Sequence, residues 1–136
     1  MAALTRQGTG VAAPKRRLLV VDDNRDAAES MSMLLEMWGH DVVYAYDGPT
    51  ALRTAEQWQP EAVFLDIGLP GMDGYEVAER LRELPRAKGA VVIAITGYGQ
   101  DDDRLRSRRA GIDHHLVKPV APDALRSLID SLQQLH

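Results

Sequence analysis

Short apolar runs alternate with amphipathic segments five times along the chain, and this alternation restricts the fold more than any other sequence feature. A short apolar run is typical of a strand buried on both faces of a parallel sheet, whereas apolar residues spaced by three and four positions indicate a helix face. The pattern predicts an α/β fold: a doubly wound, five-stranded parallel sheet with helices on both faces. The predicted strands are residues 18–21, 42–46, 62–65, 90–95 and 115–117.

Capping residues predict where the helices begin. Asn24 and Asp73 each precede an amphipathic segment, and their side-chain oxygens can accept hydrogen bonds from the first helical turn. Gly39 is expected to close the first helix, and Pro122 to open the last one. The fourth helix is predicted within the highly charged segment 100–110.

Composition limits the architecture and the class of protein. A chain of 136 residues that is 45% hydrophobic is long enough for one core and short for two domains, so we expect a flexible leader at 1–16 and one domain at 17–136. The net charge of −4 gives no support for binding nucleic acid or an anionic membrane. No cysteine is present, which excludes disulfides and thiolate metal sites. We expect a cytoplasmic protein, since no signal peptide or membrane span is evident.

Chemically active side chains follow four of the predicted strands. Asp22 and Asp23 end the first strand, Asp66 ends the third, Thr96 ends the fourth and Lys118 ends the fifth. Because ligands of open α/β sheets bind at the carboxyl ends of the strands, we expect these side chains to form one site.

Three close carboxylates predict a bound cation. Each close pair repels by roughly 4 kcal/mol at an effective dielectric constant near 20, so a fold that keeps them together needs compensation. Oxygen ligands without nearby His or Cys favour Mg²⁺, with Mn²⁺ as a substitute. Asp23 and Asp66 are the predicted direct ligands, the backbone carbonyl of Gly68 a third, and Asp22 is expected to act through a metal-bound water.

The same side chains fit phosphoryl transfer to a carboxylate. Asp66 is the predicted nucleophile, because a strand fixes it and a loop of small residues beside it leaves room for a phosphoryl donor. Thr96 and Lys118 are predicted to bind the phosphoryl oxygens afterwards and to couple the site to the surface.

The motifs VVDDN, VFLDIGLPGMDG, IAITGYG and HLVKPV, in this order, resemble the receiver domains of two-component response regulators over residues 17–135. The resemblance implies a flavodoxin-like sheet of order 2-1-3-4-5. It also implies that a histidine kinase or phosphotransfer protein phosphorylates Asp66, that Asp22 and Asp23 hold Mg²⁺, and that the Lys118–Pro119 bond is cis. Receivers often meet downstream proteins through the fourth helix, fifth strand and fifth helix, and a homodimer formed on phosphorylation is one form such signalling could take.

Three positions depart from the family pattern. His115 stands where receivers commonly carry an aromatic residue that turns inward on activation, so the conformational switch is expected to differ here. Gly68 and Gly97 are small where other receivers carry larger side chains near the phosphoryl group, and both are expected to tune its lifetime. The sequence leaves open whether this is a stand-alone receiver or the receiver of a hybrid sensor kinase.

Three other functions fit the sequence less well. A phosphatase of the haloacid dehalogenase type would need an acid two residues beyond a nucleophile at Asp22, where Asn24 stands, and a cap domain. A nucleotide-binding module would need a glycine-rich loop after the first strand, which is absent. A receiver-like module that is never phosphorylated would be favoured by loss of an acid, Thr96 or Lys118, and none is lost. We therefore expect a phospho-acceptor without a separate turnover substrate, and so no enzyme in the usual sense.

Overall fold

The computed structural model describes residues 15–97 and 104–132. Within them, strands and helices alternate from β1 to α5, as the sequence pattern predicts. Predicted strand ends differ from the observed ones by one residue at most. The elements are β1 (Arg17–Val21), α1 (Arg25–Met37), β2 (Asp41–Ala45), α2 (Gly48–Trp58), β3 (Ala62–Asp66), α3 (Gly74–Glu83), β4 (Val91–Thr96), α4 (Arg104–Ala110), β5 (His114–Val117) and α5 (Pro122–Leu132).

The five strands form one parallel sheet in the order β2-β1-β3-β4-β5, which confirms the predicted fold class. The order reverses between β1 and β3, so the carboxyl ends of these two strands flank a crevice. Every residue of β3 is buried, because helices cover both faces of the central strands.

Alternate residues of the strands supply two separate cores. Leu19, Val63 and Leu65 face one core, which α2, α3 and α4 complete, whereas Leu18 and Phe64 face the other, which α1 and α5 complete. This alternation follows from the period of two in a strand. The two cores hold the sheet rigidly, and thereby fix the positions at which the strands end.

The two predicted N-caps, Asn24 and Asp73, are present, and Asp47 is a third that the sequence did not predict. Asn24, Asp47 and Asp73 accept hydrogen bonds from the backbone N–H groups of Ala27, Thr50 and Glu76 at the starts of α1, α2 and α3. Gly39 has a φ of +95° directly after α1, a conformation that favours glycine.

The boundary of the predicted leader differs from the structure. Arg16 was expected to lie in the leader, but it is buried, and its Nη1 lies 2.8 Å from Oε1 of Glu61. Most of the leader, the start of the predicted fourth helix and the last four residues lie outside the described ranges. Within those ranges no helix combines the length and apolarity required to cross a bilayer.

Candidate functional site

Strand ends bring the predicted site residues to the same edge of the sheet. Asp22 follows β1 directly, Asp66 and Thr96 are the last residues of β3 and β4, and Lys118 follows β5. Asp22, Asp23 and Asp66 each offer a carboxylate oxygen, and these oxygens all lie within 4.8 Å of one another. Asp22 and Asp66 are buried, while Asp23 is exposed.

Among the described residues, Lys118 is the cation that forms ion pairs with this cluster. Its Nζ lies 3.2 Å from Oδ2 of Asp66 and 3.3 Å from Oδ2 of Asp22. Burial acts to lower the pKa of Lys118, but attraction to the Asp66 and Asp22 carboxylates outweighs it and raises the pKa above its ordinary value. The ammonium group therefore stays charged and links the ends of β1, β3 and β5.

One ammonium does not balance three carboxylates. Burial raises the pKa of Asp22, and repulsion from Asp66 raises it further, although the Asn24 N–H and the Lys118 ammonium act in the opposite direction. Because the net shift of the Asp22 pKa is upward, the ionised form of this carboxyl is less stable in the folded protein than in the unfolded chain. A bound cation would remove that cost.

Backbone N–H groups orient the two buried carboxylates. The N–H of Asn24 donates to Oδ1 of Asp22 and the N–H of Gly68 donates to Oδ1 of Asp66, both at 2.9 Å. From the sequence, Gly68 is predicted to offer its carbonyl to the metal; the contact of its N–H with Asp66 is not predicted. The short loops after β1 and β3 thus fix the carboxylates before any ligand binds.

Gly74 allows α3 to begin against the backbone of Asp66. A Cβ at this position would lie 2.6 Å from Cα of Ile67 and 2.8 Å from the carbonyl oxygen of Asp66. The Gly74 N–H also donates to the Ile67 carbonyl at 3.1 Å. Sequence reasoning did not single out Gly74, because an isolated glycine after a capping Asp carries no signal of which backbone it approaches.

Thr96 is placed beside the acidic cluster but is held loosely. Its side chain is buried, and its hydroxyl donates to the Leu116 carbonyl over 3.5 Å, the limit of a hydrogen bond. The Lys118 N–H donates to the Thr96 carbonyl at 2.7 Å, which joins the ends of β4 and β5. Gly97 follows, half-buried. The Lys118–Pro119 peptide bond is cis, as the resemblance implied.

His115 contacts α4 rather than the acidic cluster. Its Nε2 lies 3.1 Å from Oγ of Ser107, and Ser107 is only 1% exposed. A serine within a charged helix is typical of a solvated face, so spacing and composition do not predict this contact. The structure shows instead a polar contact between β5 and α4.

Comparison with known proteins assigns the family. The model of the response regulator receiver domain matches residues 18–130. The chain belongs to this family. The receiver is 37% identical over 112 residues to an uncharacterised 14.6 kDa protein of Leptolyngbya boryana, with 82% of the chain and 86% of the relative covered. It is 40% identical over 124 residues to the transcriptional regulatory protein PrrA of Mycobacterium tuberculosis, covering 91% of the chain but 52% of PrrA. The receiver therefore spans about half the length of such regulators.

Solved receivers share its architecture. A putative response regulator from Chloroflexus aurantiacus matches with a TM-score of 0.80 at 30% identity, covering 88% of the chain and 98% of the other. The receiver domain of a sensor histidine kinase from Pseudomonas aeruginosa matches with a TM-score of 0.78 at 27% identity, covering 88% and 98%, and has a magnesium ion coordinated in its active site cleft.

The residues of the present receiver fit such an ion. The cluster of Asp22, Asp23 and Asp66 offers only hard oxygen ligands, which Mg²⁺ prefers, and burial, with repulsion from Asp66, raises the pKa of Asp22. The exposure of Asp23 leaves one side of the cluster accessible to solvent.

Proposed function

We propose that this receiver accepts a phosphoryl group on Asp66 from a histidine kinase or phosphotransfer protein, and changes conformation to signal to a downstream protein. The observation that carries the proposal is the Asp66 carboxylate itself, fixed by the Gly68 N–H at 2.9 Å, contacted by Lys118 at 3.2 Å and clustered with two further carboxylates. A cytoplasmic location is part of this proposal.

In the proposed transfer, a carboxylate oxygen of Asp66 forms a bond to phosphorus while the bond between phosphorus and the donor's imidazole nitrogen breaks. The bonding electrons return to that nitrogen, so the product is an aspartyl phosphate and a histidine side chain. Lys118 stabilises the negative charge on the phosphoryl oxygens. Mg²⁺, or Mn²⁺ in its place, would be held by Asp23, Asp66 and the Gly68 carbonyl, with Asp22 acting through water, and would neutralise the charge of the incoming phosphoryl group.

The proposed switch uses the loose contact of Thr96. A phosphoryl group on Asp66 offers the Thr96 hydroxyl a charged acceptor that is stronger than the Leu116 carbonyl at 3.5 Å. Movement of Thr96, with Gly97 beside it, would shift the start of the segment that leads to α4. His115 would follow through Ser107, since their 3.1 Å contact ties β5 to α4. In this receiver a hydrogen-bonded histidine thus takes the place of the aromatic switch residue.

The first experiment is intact-protein mass spectrometry after incubation with acetyl phosphate, with and without Mg²⁺. We expect a phosphoryl adduct that depends on Mg²⁺ and is lost in Asp66→Asn. Asp41→Asn is the matched control, because Asp41 is an exposed aspartate at the start of β2, away from the cluster, and should label as wild type does.

Equal labelling of Asp66→Asn and the wild type would remove Asp66 from its role. Failure of the wild type to label with acetyl phosphate or to bind beryllofluoride would favour a receiver that acts as an interaction module without phosphorylation.

A further inference from the structure

Arg106 of α4 contacts the start of α3 in two ways. Its Nη2 lies 3.2 Å from Oδ2 of Asp73, and its guanidinium carbon lies 4.4 Å from the ring centre of Tyr75. A planar guanidinium can form both contacts at once, because it pairs with a carboxylate through its N–H groups and packs on an aromatic ring with its face. The two contacts therefore fix one side chain of α4 relative to α3.

The start of α3 is itself fixed to the strand end that carries Asp66. Asp73 is the N-cap of α3. The N–H of Gly74 donates to the Ile67 carbonyl at 3.1 Å, and a Cβ on Gly74 would lie 2.8 Å from the Asp66 carbonyl oxygen. Tyr75 is only 6% exposed. Because these residues pack closely against β3 and the core, the start of α3 has little room to follow a displacement of α4.

A displacement of α4 would act directly on the two Arg106 contacts. In the proposed function, Thr96 moves from the Leu116 carbonyl toward a phosphoryl group on Asp66 and shifts the segment that leads to α4. Since α3 stays with β3, such a shift separates Arg106 from its contacts on α3. Both the ion pair and the contact with the aromatic ring depend on close approach, so both are weakened by the movement.

We propose that Arg106 restrains α4 in the observed arrangement and thereby opposes the conformational change of the receiver. We call the contacts of Arg106 with Asp73 and Tyr75 the Arg106 latch. The inference rests on the proposed function and deepens it, because it names a residue that sets how readily phosphorylation moves α4. The side chains of Arg106 and Asp73 are 47% and 39% exposed, so the ion pair is weak enough to open.

Other charged residues lie near the Arg106 latch. The groove between α3 and α4 also contains Arg80, which pairs with Glu76 at 3.1 Å, and Glu79 and Glu83. In the sequence, residues 101–103 directly before α4 are all aspartate. Among the acids of the described ranges, Asp73 is the one that forms an ion pair with Arg106. A substitution of Asp73 therefore separates the latch from the general attraction of an arginine to acidic surroundings.

Hydrogen exchange of the backbone amides of α4, measured on the full chain, tests the restraint directly. In Arg106→Ala these amides should exchange about threefold to tenfold faster than in the wild type. Asp73→Asn should also accelerate exchange, because asparagine keeps the capping oxygen and loses the charge that pairs with Arg106. Arg109→Ala is the matched control, since Arg109 is an exposed arginine of the same helix that forms no ion pair within the described ranges. It should exchange as the wild type does.

The affinity for beryllofluoride in the presence of Mg²⁺ distinguishes a restraint on the conformational change from a contact that only supports the fold. Loss of a purely structural contact would leave this affinity unchanged or lower it. Loss of the Arg106 latch should raise it about twofold to fivefold, because the conformational change no longer has to break the contact. Arg106→Lys should give an intermediate affinity, since lysine keeps the charge for Asp73 but lacks the planar group that packs on Tyr75.

Three results would overturn the proposal: wild-type exchange of α4 in Arg106→Ala, faster exchange in Arg106→Ala but not in Asp73→Asn, or an affinity for beryllofluoride in Arg106→Ala no higher than that of the wild type. Acetyl phosphate labelling of the wild type separates this inference from the proposed function. If the wild type neither labels nor binds beryllofluoride, the phospho-acceptor role fails, and the exchange measurements alone decide whether Arg106 restrains α4. Normal labelling with unchanged exchange in Arg106→Ala would keep the phospho-acceptor role and reject the latch.

Discussion

Charged side chains are arranged differently at the two edges of the sheet. At the amino edge, where the strands begin, buried and half-buried charges are paired: Arg16 lies 2.8 Å from Glu61, and Arg82 lies 2.8 Å from Asp113. At the carboxyl edge, Asp22 and Asp66 share the ammonium of Lys118, and the carboxylate of Asp23 lies in the same cluster. These two ion pairs balance charge within the protein, whereas the carboxyl edge leaves an excess of negative charge for a ligand to neutralise.

This difference shows how one small fold separates stability from function. Paired charges at the amino edge hold loops and helices to the sheet and require nothing from solution. Excess negative charge at the carboxyl edge lowers the stability of the ligand-free protein but favours the binding of a cation. Substitutions at the two edges should therefore change different properties.

The largest loss of stability is expected from Arg82→Ala at the amino edge. The Arg82 guanidinium donates to the carbonyls of Lys88, Ala90 and Gly111 and to Asp113, and so joins α3 to the loops before β4 and β5. Its loss leaves several of these acceptors without a donor and should lower the free energy of unfolding by about 3 kcal/mol, measured by urea titration.

The neighbouring Arg80→Ala provides the control for that measurement. Arg80 is half-exposed and, within residues 15–97 and 104–132, forms an ion pair only with Glu76 one turn away, so its removal should cost less than about 0.5 kcal/mol. Mg²⁺ affinity should remain unchanged in both variants. A loss of Mg²⁺ affinity in Arg82→Ala would show that the two edges are not independent.

The second-largest loss of stability is expected from Lys118→Ala at the carboxyl edge. Without the ammonium, Asp22 and Asp66 repel each other, and the free energy of unfolding should fall by about 1–2 kcal/mol at neutral pH, a range reduced for the 37% exposure of the side chain. Because Mg²⁺ replaces the missing charge, saturating Mg²⁺ should restore most of the loss. Calorimetric titration and urea unfolding with and without Mg²⁺ measure both.

The Lys118→Ala variant also tests the proposed coupling between phosphorylation and the conformation of α4. Lys118→Ala should still bind Mg²⁺, but phosphorylation or beryllofluoride should no longer shift the NMR signals of residues 104–110. Lys15→Ala is the control, since its exposed ammonium pairs with Asp41 and should affect neither property. An unaltered response of α4 in Lys118→Ala would reject the coupling role of this lysine.

The third substitution is expected to raise the free energy of unfolding, whereas the first two lower it. Asp22→Asn keeps the acceptor for the Asn24 N–H but removes a carboxylate whose pKa is raised, chiefly by burial. The ligand-free protein should therefore become more stable, by on the order of 1 kcal/mol, while its affinity for Mg²⁺ falls about tenfold. A destabilised Asp22→Asn protein would contradict the excess of charge at this edge.

The sequence predicts the carboxyl edge far better than the amino edge, for a physical reason. Asp22, Asp66, Thr96 and Lys118 follow apolar runs, so the fold alone brings them together once the strands are known to be parallel. Arg82 and Asp113 lie in segments whose charges look like a solvated surface, and only the crossing of α3 over the sheet brings them into contact. Arg16 was assigned to the leader for the same reason.

The contacts that sequence missed near the site depend on close approach between separate elements. The contact between Ser107 and His115 requires α4 to pack on β5, and the exclusion of a side chain at Gly74 requires α3 to begin against Asp66. Neither spacing nor composition encodes such distances. The predicted roles of Thr96, Gly97, Gly68 and His115 in signalling stay predictions until the labelling and NMR experiments are done.

The smallest expected effect is the pH dependence of the free energy of unfolding, and its sign differs between the two edges. Burial lowers the pKa of His40, and the charge of Arg16 lowers it further; the neutral ring accepts the Arg16 N–H at Nδ1 over 3.1 Å. Unfolded His40 takes up a proton near its ordinary pKa of 6.5, whereas the folded side chain resists it. The folded state is therefore fully favoured above pH 6.5 and loses stability as the pH falls below that value.

Asp22 acts in the opposite direction at lower pH. Its pKa is raised above 3.8 in the folded state, so acidification toward that value relieves its unfavourable charge and adds stability. In urea titrations from about pH 7 to 5, His40→Gln should lose less stability than the wild type, by under about 1 kcal/mol. Asp22→Asn should keep the loss due to His40 and lack the compensating gain at lower pH. If His40→Gln keeps the wild-type pH dependence, His40 does not make the amino edge sensitive to acid, and the two edges differ only in how they balance fixed charges.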